Sequence, residues 1–165
     1  MKDLMRQKVA VQEHILGLLN NQVKLEAQSA AAYLAKASWC DQNGFDNSAK
    51  FFYNQSNEER MHMLKLFHFV SDMGGVAIVP STEAPQSSFS SLREVFEFSL
   101  ENEINVTESI HQIVAACRKA GDFATENFMQ WFVKEQVEEE FVARKAIELF
   151  DMLGDDAASL LMIDE

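Results

Sequence analysis

The sequence is interrupted at only four places, and the lengths of these interruptions restrict the fold more than any other feature. The chain of 165 residues holds two prolines and six glycines. Residue types that favour helices, such as Ala, Leu, Glu, Lys, Gln and Met, fill the segments between the breaks. Short breaks lie at 41–47, 120–122 and 153–156, whereas the break at 74–91 is long and holds both prolines. The sequence therefore predicts an all-α protein with four long helices.

The long break also predicts the topology. Short connections place successive helices side by side and antiparallel, but a connection as long as 74–91 reaches from one end of a bundle to the other. Helices two and three can then run parallel. We expect one domain over 1–165, with a four-helix bundle at about 11–153 and a short C-terminal helix at about 156–165. We expect the first ten or so residues to be an N-terminal extension.

The charge of the chain excludes several classes of partner. The formal net charge is -12 at pH 7, and nucleic acids and anionic membrane surfaces are bound through clustered Lys and Arg that this chain lacks. Neither is expected as a partner, whereas cations are. No segment approaches the roughly 18 apolar residues of a membrane span, and the start MKDLMRQKVAVQEHILG lacks the apolar core of a signal peptide. We therefore expect a cytoplasmic location.

Each long helix carries an acidic residue near the middle of its apolar stripe. Apolar side chains recur at alternating spacings of three and four residues, which keeps them on one helical face. The acids on these stripes are Glu26, Glu59, Glu103 and Glu139, and His62 follows Glu59 after one turn. In an antiparallel bundle the middles of all four helices meet at one level. We therefore expect these five side chains to converge in the core.

Converging acids require a positive charge among them. Removing several like charges from water costs several kcal/mol per group unless a cation compensates them, and no Lys or Arg is expected on these stripes. A ligand set of carboxylates with one imidazole suits iron, manganese or zinc. The spacing Glu59-x-x-His62 lets both side chains bind one ion while Glu59 bridges to a second. On helix four, Gln136-x-x-Glu139 occupies the corresponding place, so the sequence predicts a two-metal site.

The motifs around these residues resemble those of the ferritins, most closely the bacterial non-haem ferritins. The resemblance runs from about Val11 to Glu165 and rests on KLEAQSAAAYLAKASWC, NEERMHML, ENEIN, FMQWFVKEQVEEE and LLMIDE in this order. It implies the ferritin-like four-helix bundle and an iron store with ferroxidase activity. Such a protein oxidises Fe(II) with O2 or H2O2 at a di-iron centre and keeps the ferric mineral in the cavity of a hollow homo-oligomer, expected to be a 24-mer.

The resemblance also implies a role for each site residue. The first iron is matched by Glu26, Glu59 and His62. The second is matched by Glu59, Glu103 and Glu139, with Gln136 beside it and Tyr33 next to the centre. A third iron position, which also uses Glu139, is matched by Glu58, Glu135 and Glu138. No haem is implied, because Arg60 stands where bacterioferritins carry the haem methionine.

Other interpretations of the same residues remain open. A di-metal oxygenase or peroxidase uses the same ligands but needs a substrate pocket or a redox partner. A helical interaction module would be indifferent to metal. The three acids of the third position also fit an ordinary solvated helix face, and Tyr33 fits a packed core tyrosine as well as a redox partner.

Overall fold

A computed structural model describes residues 10–165, which form five helices and no strands. This arrangement confirms the prediction of an all-α four-helix bundle followed by a short C-terminal helix. Residues 1–9, which include most of the expected N-terminal extension and the start of the expected domain, lie outside the described range. The helices are α1 (Glu13–Gln42), α2 (Asp46–Asp72), α3 (Leu92–Ala120), α4 (Phe123–Leu153) and α5 (Ala157–Asp164).

Polar caps and one glycine fix the ends of α3 and the start of α4. The Ser91 hydroxyl accepts a hydrogen bond from the Glu94 backbone N–H at 3.1 Å, which satisfies a free donor in the first turn of α3. Gly121 ends α3 in the left-handed conformation at φ 69°, which a side chain would disfavour. Asp122 follows at once and caps α4 by accepting from the Thr125 N–H at 3.0 Å. The turn between the two helices is therefore tight, and they run antiparallel.

Contacts at the helix ends establish the remaining directions. The end of α1 lies beside the start of α2, where the Tyr53 hydroxyl donates to the Asp41 carboxylate at 2.7 Å, so these helices are antiparallel. The start of α2 also lies beside the start of α3, where the Phe52 and Phe96 ring centres are 4.9 Å apart. Helices α2 and α3 therefore run parallel, as the long crossover requires. In the range 10–165, none of the helices is long and apolar enough to cross a membrane.

Two amide side chains of α1 hold the crossover along the bundle. Asn20 donates to the Val76 carbonyl at 3.0 Å and accepts from the Ile78 N–H at 2.9 Å. Gln28 forms the same pair of bonds with the backbone of Glu83, both at 3.0 Å. Each side-chain amide thus satisfies backbone donors and acceptors of the crossover that would otherwise need another strand as partner. The crossover therefore follows α1 from one end of the bundle to the other.

Two apolar clusters fill the bundle, and a polar layer separates them. One cluster includes Leu66 and Ile110, and the other includes Phe52 and Phe150. On every long helix, residues of one cluster precede the middle of the helix and residues of the other cluster follow it. The buried polar side chains between the clusters include Glu26, Glu59, His62, Glu103, Gln136 and Glu139.

The short helix α5 folds back onto the start of α2. The Asp164 carboxylate accepts hydrogen bonds from the backbone N–H groups of Asn47 at 3.2 Å and Ser48 at 2.7 Å. These donors have no partner within their own helix, and the negative charge also suits the positive end of the helix dipole. Leu160 and Ile163 pack against the cluster that contains Phe52. The last helix therefore closes one end of the bundle.

The hydrogen bonds of Asn20 and Gln28 should determine how firmly the crossover is held. Replacing both by alanine should lower the free energy of unfolding by about 2–4 kcal/mol, because four hydrogen bonds are lost and each contributes about 0.5–1 kcal/mol. Hydrogen exchange at the amides of Ile78 and Glu83 should accelerate far more than exchange in the helices. Gln86→Ala is the matched control, since this amide bonds only to Ser88 within the crossover. Unchanged exchange in the double variant would contradict this role.

Candidate metal centre

The structure buries the middle acid of all four long helices. Glu26 and Glu103 are each 1% exposed, Glu59 is 2% exposed, and Glu139 is 7% exposed. His62, which is 6% exposed, lies one turn after Glu59. Side chains with these charges are almost never buried without partners. Their burial therefore depends on the atoms that surround them.

Glu26, Glu59 and His62 form a compact group with free ligand atoms. One potential ligand atom of each residue lies within 4.8 Å of those of the other two. The His62 Nδ1 atom is 3.3 Å from the Glu59 Oε2 atom and 3.9 Å from the Glu26 Oε2 atom. These two carboxylate oxygens are buried and have no hydrogen-bond partner. Since buried polar atoms are normally paired, the pair of unsatisfied oxygens marks a place that fits a cation.

Glu103 and Glu139 are held by neutral donors. The Tyr33 hydroxyl donates to Glu103, and the Gln136 amide donates to the other Glu103 carboxylate oxygen at 3.0 Å. The Gln55 amide donates to Glu139 at 2.7 Å. Both carboxylates lie in the same polar layer as the first group, but hydrogen bonds orient them. The ligands expected for a second ion are thus present, although the structure does not gather them into one group.

A second group of ligand atoms points from the core towards the surface. His62, Glu139 and the half-buried Glu135 also offer ligand atoms within 4.8 Å of one another. Of the three acids expected at a third iron position, only Glu135 belongs to this group. Glu58 and Glu138 are exposed and lie outside both groups. The ring of Trp131 packs edge-on against His62, with centres 5.2 Å apart.

Two glutamines of the site were not assigned a role from the sequence. The Gln22 amide donates to the Glu26 Oε1 atom at 3.0 Å, and the Ser109 hydroxyl donates to Gln22 at 2.6 Å. Gln55 supports Glu139 in a similar way. Both glutamines stand on apolar stripes about one turn before an acid, at a spacing of four residues. That spacing is the sequence signal that could have identified them.

The core near the acids also holds one basic residue that does not belong to the predicted stripes. Lys36 lies beside the stripe of α1, yet it is only 4% exposed. Its Nζ atom is 4.8 Å from the centre of the Tyr33 ring. Its long side chain lets a position at the edge of the stripe reach the core.

Burial changes the protonation of the acids. It raises the pKa of Glu26 well above the ordinary value, and the nearby Glu59 raises it further. Burial likewise raises the pKa of Glu59, and burial followed by the charge of Glu103 raises the pKa of Glu139 to about 7. The pKa of Tyr33 is also raised, first by burial and then by Glu103. Without a cation, part of this layer is therefore protonated near neutral pH.

The sequence resembles known proteins over most of its length. The family model described as a ferritin-like domain matches residues 16–153. A probable bacterial non-heme ferritin-like protein of Haemophilus influenzae is 38% identical over 153 residues, which are 93% of each chain. A bacterial non-heme ferritin of Staphylococcus epidermidis is 36% identical over 153 residues, 93% of this chain and 92% of the relative.

Solved ferritin structures are also similar to this chain in sequence and fold. An open pore ferritin from Archaeoglobus fulgidus superposes with a TM-score of 0.92 at 39% identity, covering 95% of this chain and 96% of that chain. A closed form of the Archaeoglobus fulgidus ferritin, engineered by site-directed mutagenesis, has a TM-score of 0.90 at 41% identity and covers 93% and 94%.

Metal binding should release protons from this layer. Because the pKa values of Glu26, Glu59 and Glu139 are raised, these groups hold protons near pH 6.5 that a bound cation must displace. Above about pH 8, Glu139 is already ionised and fewer protons should leave. Calorimetric titration with Zn²⁺ in buffers of different ionisation enthalpy measures the number released. No release at either pH would show that the carboxylates are ionised before metal binds, and an equal release at both would show that Glu139 does not lose its proton between pH 6.5 and pH 8.5.

Proposed function

Because this chain belongs to the ferritin family, we propose that it is an iron store with ferroxidase activity, located in the cytoplasm. Fe(II) is its substrate, O2 or H2O2 is the oxidant, and the ferric product is kept in the cavity of a hollow homo-oligomer of the 24-mer type. The whole of 1–165 acts as one domain in this account. The observation that carries the proposal is the pair of unpartnered, buried oxygens of Glu26 and Glu59 beside His62.

Two Fe(II) ions use overlapping ligand sets in this proposal. Glu26, Glu59 and His62 bind the first ion, and their free ligand atoms already face one another. Glu59 also reaches towards the second ion, whose other ligands are Glu103 and Glu139. The carboxylates of this second set must exchange their hydrogen bonds from neutral donors for bonds to the ion. A charged ligand gains far more from a divalent cation than from a neutral donor, which favours the exchange.

The chemistry follows from the ligand type. Carboxylate oxygens are hard anionic ligands, which favour the higher charge of Fe(III). Two Fe(II) ions each give up one electron, and together these reduce O2 to H2O2 or H2O2 to water. The role of the protein is to hold both ions at one oxidant and to keep the surroundings dry. Tyr33 and Gln136 hold Glu103 by hydrogen bonds until the second ion arrives, and Gln136 then lies beside that ion.

A third iron position lies on the route from the core to the surface. Glu135 shares a ligand group with His62 and Glu139, and Glu58 and Glu138 are exposed farther out. We place a third Fe(II) among these acids, where it can supply an additional electron. The helices α2 and α4 supply all of these residues, so the route runs between them.

The hollow assembly is supported by the surface of the chain. Three apolar residues of the crossover, Val76, Ile78 and Val79, are each more than half exposed. On α4, Val137 is 69% exposed and Phe141 is 56% exposed. Exposed apolar patches of this kind mark surfaces that bind other protein chains.

Removing a ligand of the first ion should abolish rapid Fe(II) oxidation. Glu59→Ala and His62→Ala should each reduce the initial rate by about a hundredfold or more, because a pair of ions can no longer be held at one oxidant. The fold should persist in both variants, and thermal stability should not fall in Glu59→Ala, since removing one of several buried acids relieves their repulsion. Stopped-flow absorbance of the ferric product measures the rate, and circular dichroism measures stability.

The chain supplies a matched control for this experiment. Glu108 and His111 repeat the Glu-x-x-His spacing on α3, but both are exposed. Alanine at both positions should leave the oxidation rate unchanged. Wild-type kinetics in the Glu59 and His62 variants would refute the assignment of the centre.

Removing the outer acids should separate the third position from the pair. In a Glu135→Ala, Glu138→Ala variant the first oxidation of two Fe(II) ions should remain fast, because the core ligands are intact. The number of Fe(II) oxidised per O2 should fall, since no third ion supplies an electron. An oxygen electrode with parallel iron determination gives this ratio, and Glu148→Ala on the same helix is the control. An unchanged ratio of Fe(II) to O2 would show that Glu135 and Glu138 are ordinary surface charges and bind no third iron.

A further inference from the structure

Lys36 is a buried cation that the proposed reaction does not use. Among residues 10–165 it is the only lysine or arginine that is buried. It lies on α1 one turn after Tyr33, and its ammonium group faces the ring of Tyr33 at 4.8 Å from the ring centre. The ring in turn stacks against Phe52, with centres 5.9 Å apart and planes inclined by 19°. Buried charges are costly, so a buried ammonium beside the acidic layer requires an explanation.

The contacts of Lys36 connect it to the side of the acidic layer that contains Glu103. The Tyr33 hydroxyl donates to Glu103, so ammonium, ring, hydroxyl and carboxylate form a continuous chain of contacts. A cation over the face of a phenol ring strengthens the hydrogen bond that its hydroxyl donates. Burial lowers the pKa of Lys36 to about 8, against the opposing effect of Glu103 and then Glu59. The side chain therefore carries its charge at neutral pH.

We propose that Lys36 is a positioning residue that sets the order in which two divalent cations bind. Its charge repels the ion that recruits Glu103, and its contact with Tyr33 stabilises the hydrogen bond that holds Glu103 away from that ion. The position formed by Glu26, Glu59 and His62 consequently fills first, and the second position fills with lower affinity. This inference rests on the function proposed above and deepens it.

Removing the charge of Lys36 should strengthen, and not weaken, the binding of the second ion. A divalent ion gains about twice as much as a proton from the loss of a neighbouring positive charge. Binding of the second ion should therefore become stronger even where that ion must displace a proton from a carboxylate. The first position is less affected, because Lys36 interacts more strongly with Glu103 than with Glu59, which both positions share. Loss of Lys36 should therefore bring the two binding steps closer together.

Calorimetric titration of the metal-free assembled protein with Zn²⁺ alone tests the proposal. The wild-type protein should show two binding steps at the centre. In Lys36→Met, which replaces the ammonium by an unbranched apolar side chain, the second step should strengthen by about tenfold or more, while the first changes little. Lys24→Met is the matched control, since Lys24 is exposed on the same helix and its loss removes the same charge from the chain. It should leave both steps unchanged.

A charge-conserving variant distinguishes charge from packing. Lys36→Arg keeps the charge and should retain two separated binding steps. Lys36→Gln removes the charge and should resemble Lys36→Met. The glutamine variant replaces the methionine variant if the methionine variant does not assemble. Equal separation of the steps in the wild-type and uncharged variants, or an equal strengthening of both steps, would overturn the role of Lys36. If the proposed function is wrong, the result differs. Glu59→Ala would then bind as much Zn²⁺ as the wild-type protein, because no ion would bind at the centre.

Discussion

The burial of four glutamates in one layer is the constraint on which the rest of the structure depends. Each long helix contributes one of them, and apolar clusters above and below the layer keep water away. Such a layer is stable without metal only if its charge is reduced. Neutral donors such as Gln55 and Gln136 bind individual carboxylates, and raised pKa values keep part of the layer protonated.

The two halves of the layer meet this constraint in different ways. Around Glu26 and Glu59, one oxygen of each carboxylate has no partner, so this half is prepared for a cation. Around Glu103, both oxygens accept hydrogen bonds and a buried ammonium lies behind Tyr33. The second half therefore stays satisfied until an ion arrives. A centre built in this way can bind its ions in sequence, because only one position is open from the start.

The sequence predicted the fold well because its signals are local. Few breaks and a long crossover define the helices, and the alternating spacing of three and four places each acid on an inward face. The donors were harder to predict. Gln22 bonds to the acid of its own helix, whereas Gln55 bonds to Glu139 on another helix, and only the packing of α2 against α4 decides between these partners. The burial of Lys36 could not be predicted, because a position at the edge of a stripe becomes buried only when neighbouring elements cover it. The assignment of individual residues to iron positions stays a prediction.

Divalent cations should complete the acidic layer. Crystals soaked anaerobically in Fe(II) and measured on both sides of the iron absorption edge test it most directly. We expect two anomalous peaks within the bundle, one bonded to Glu26, Glu59 and His62, and the other bonded to Glu59, Glu103 and Glu139. Ordered carboxylates with no anomalous peak bonded to Glu59 or His62 would show that no cation completes the layer.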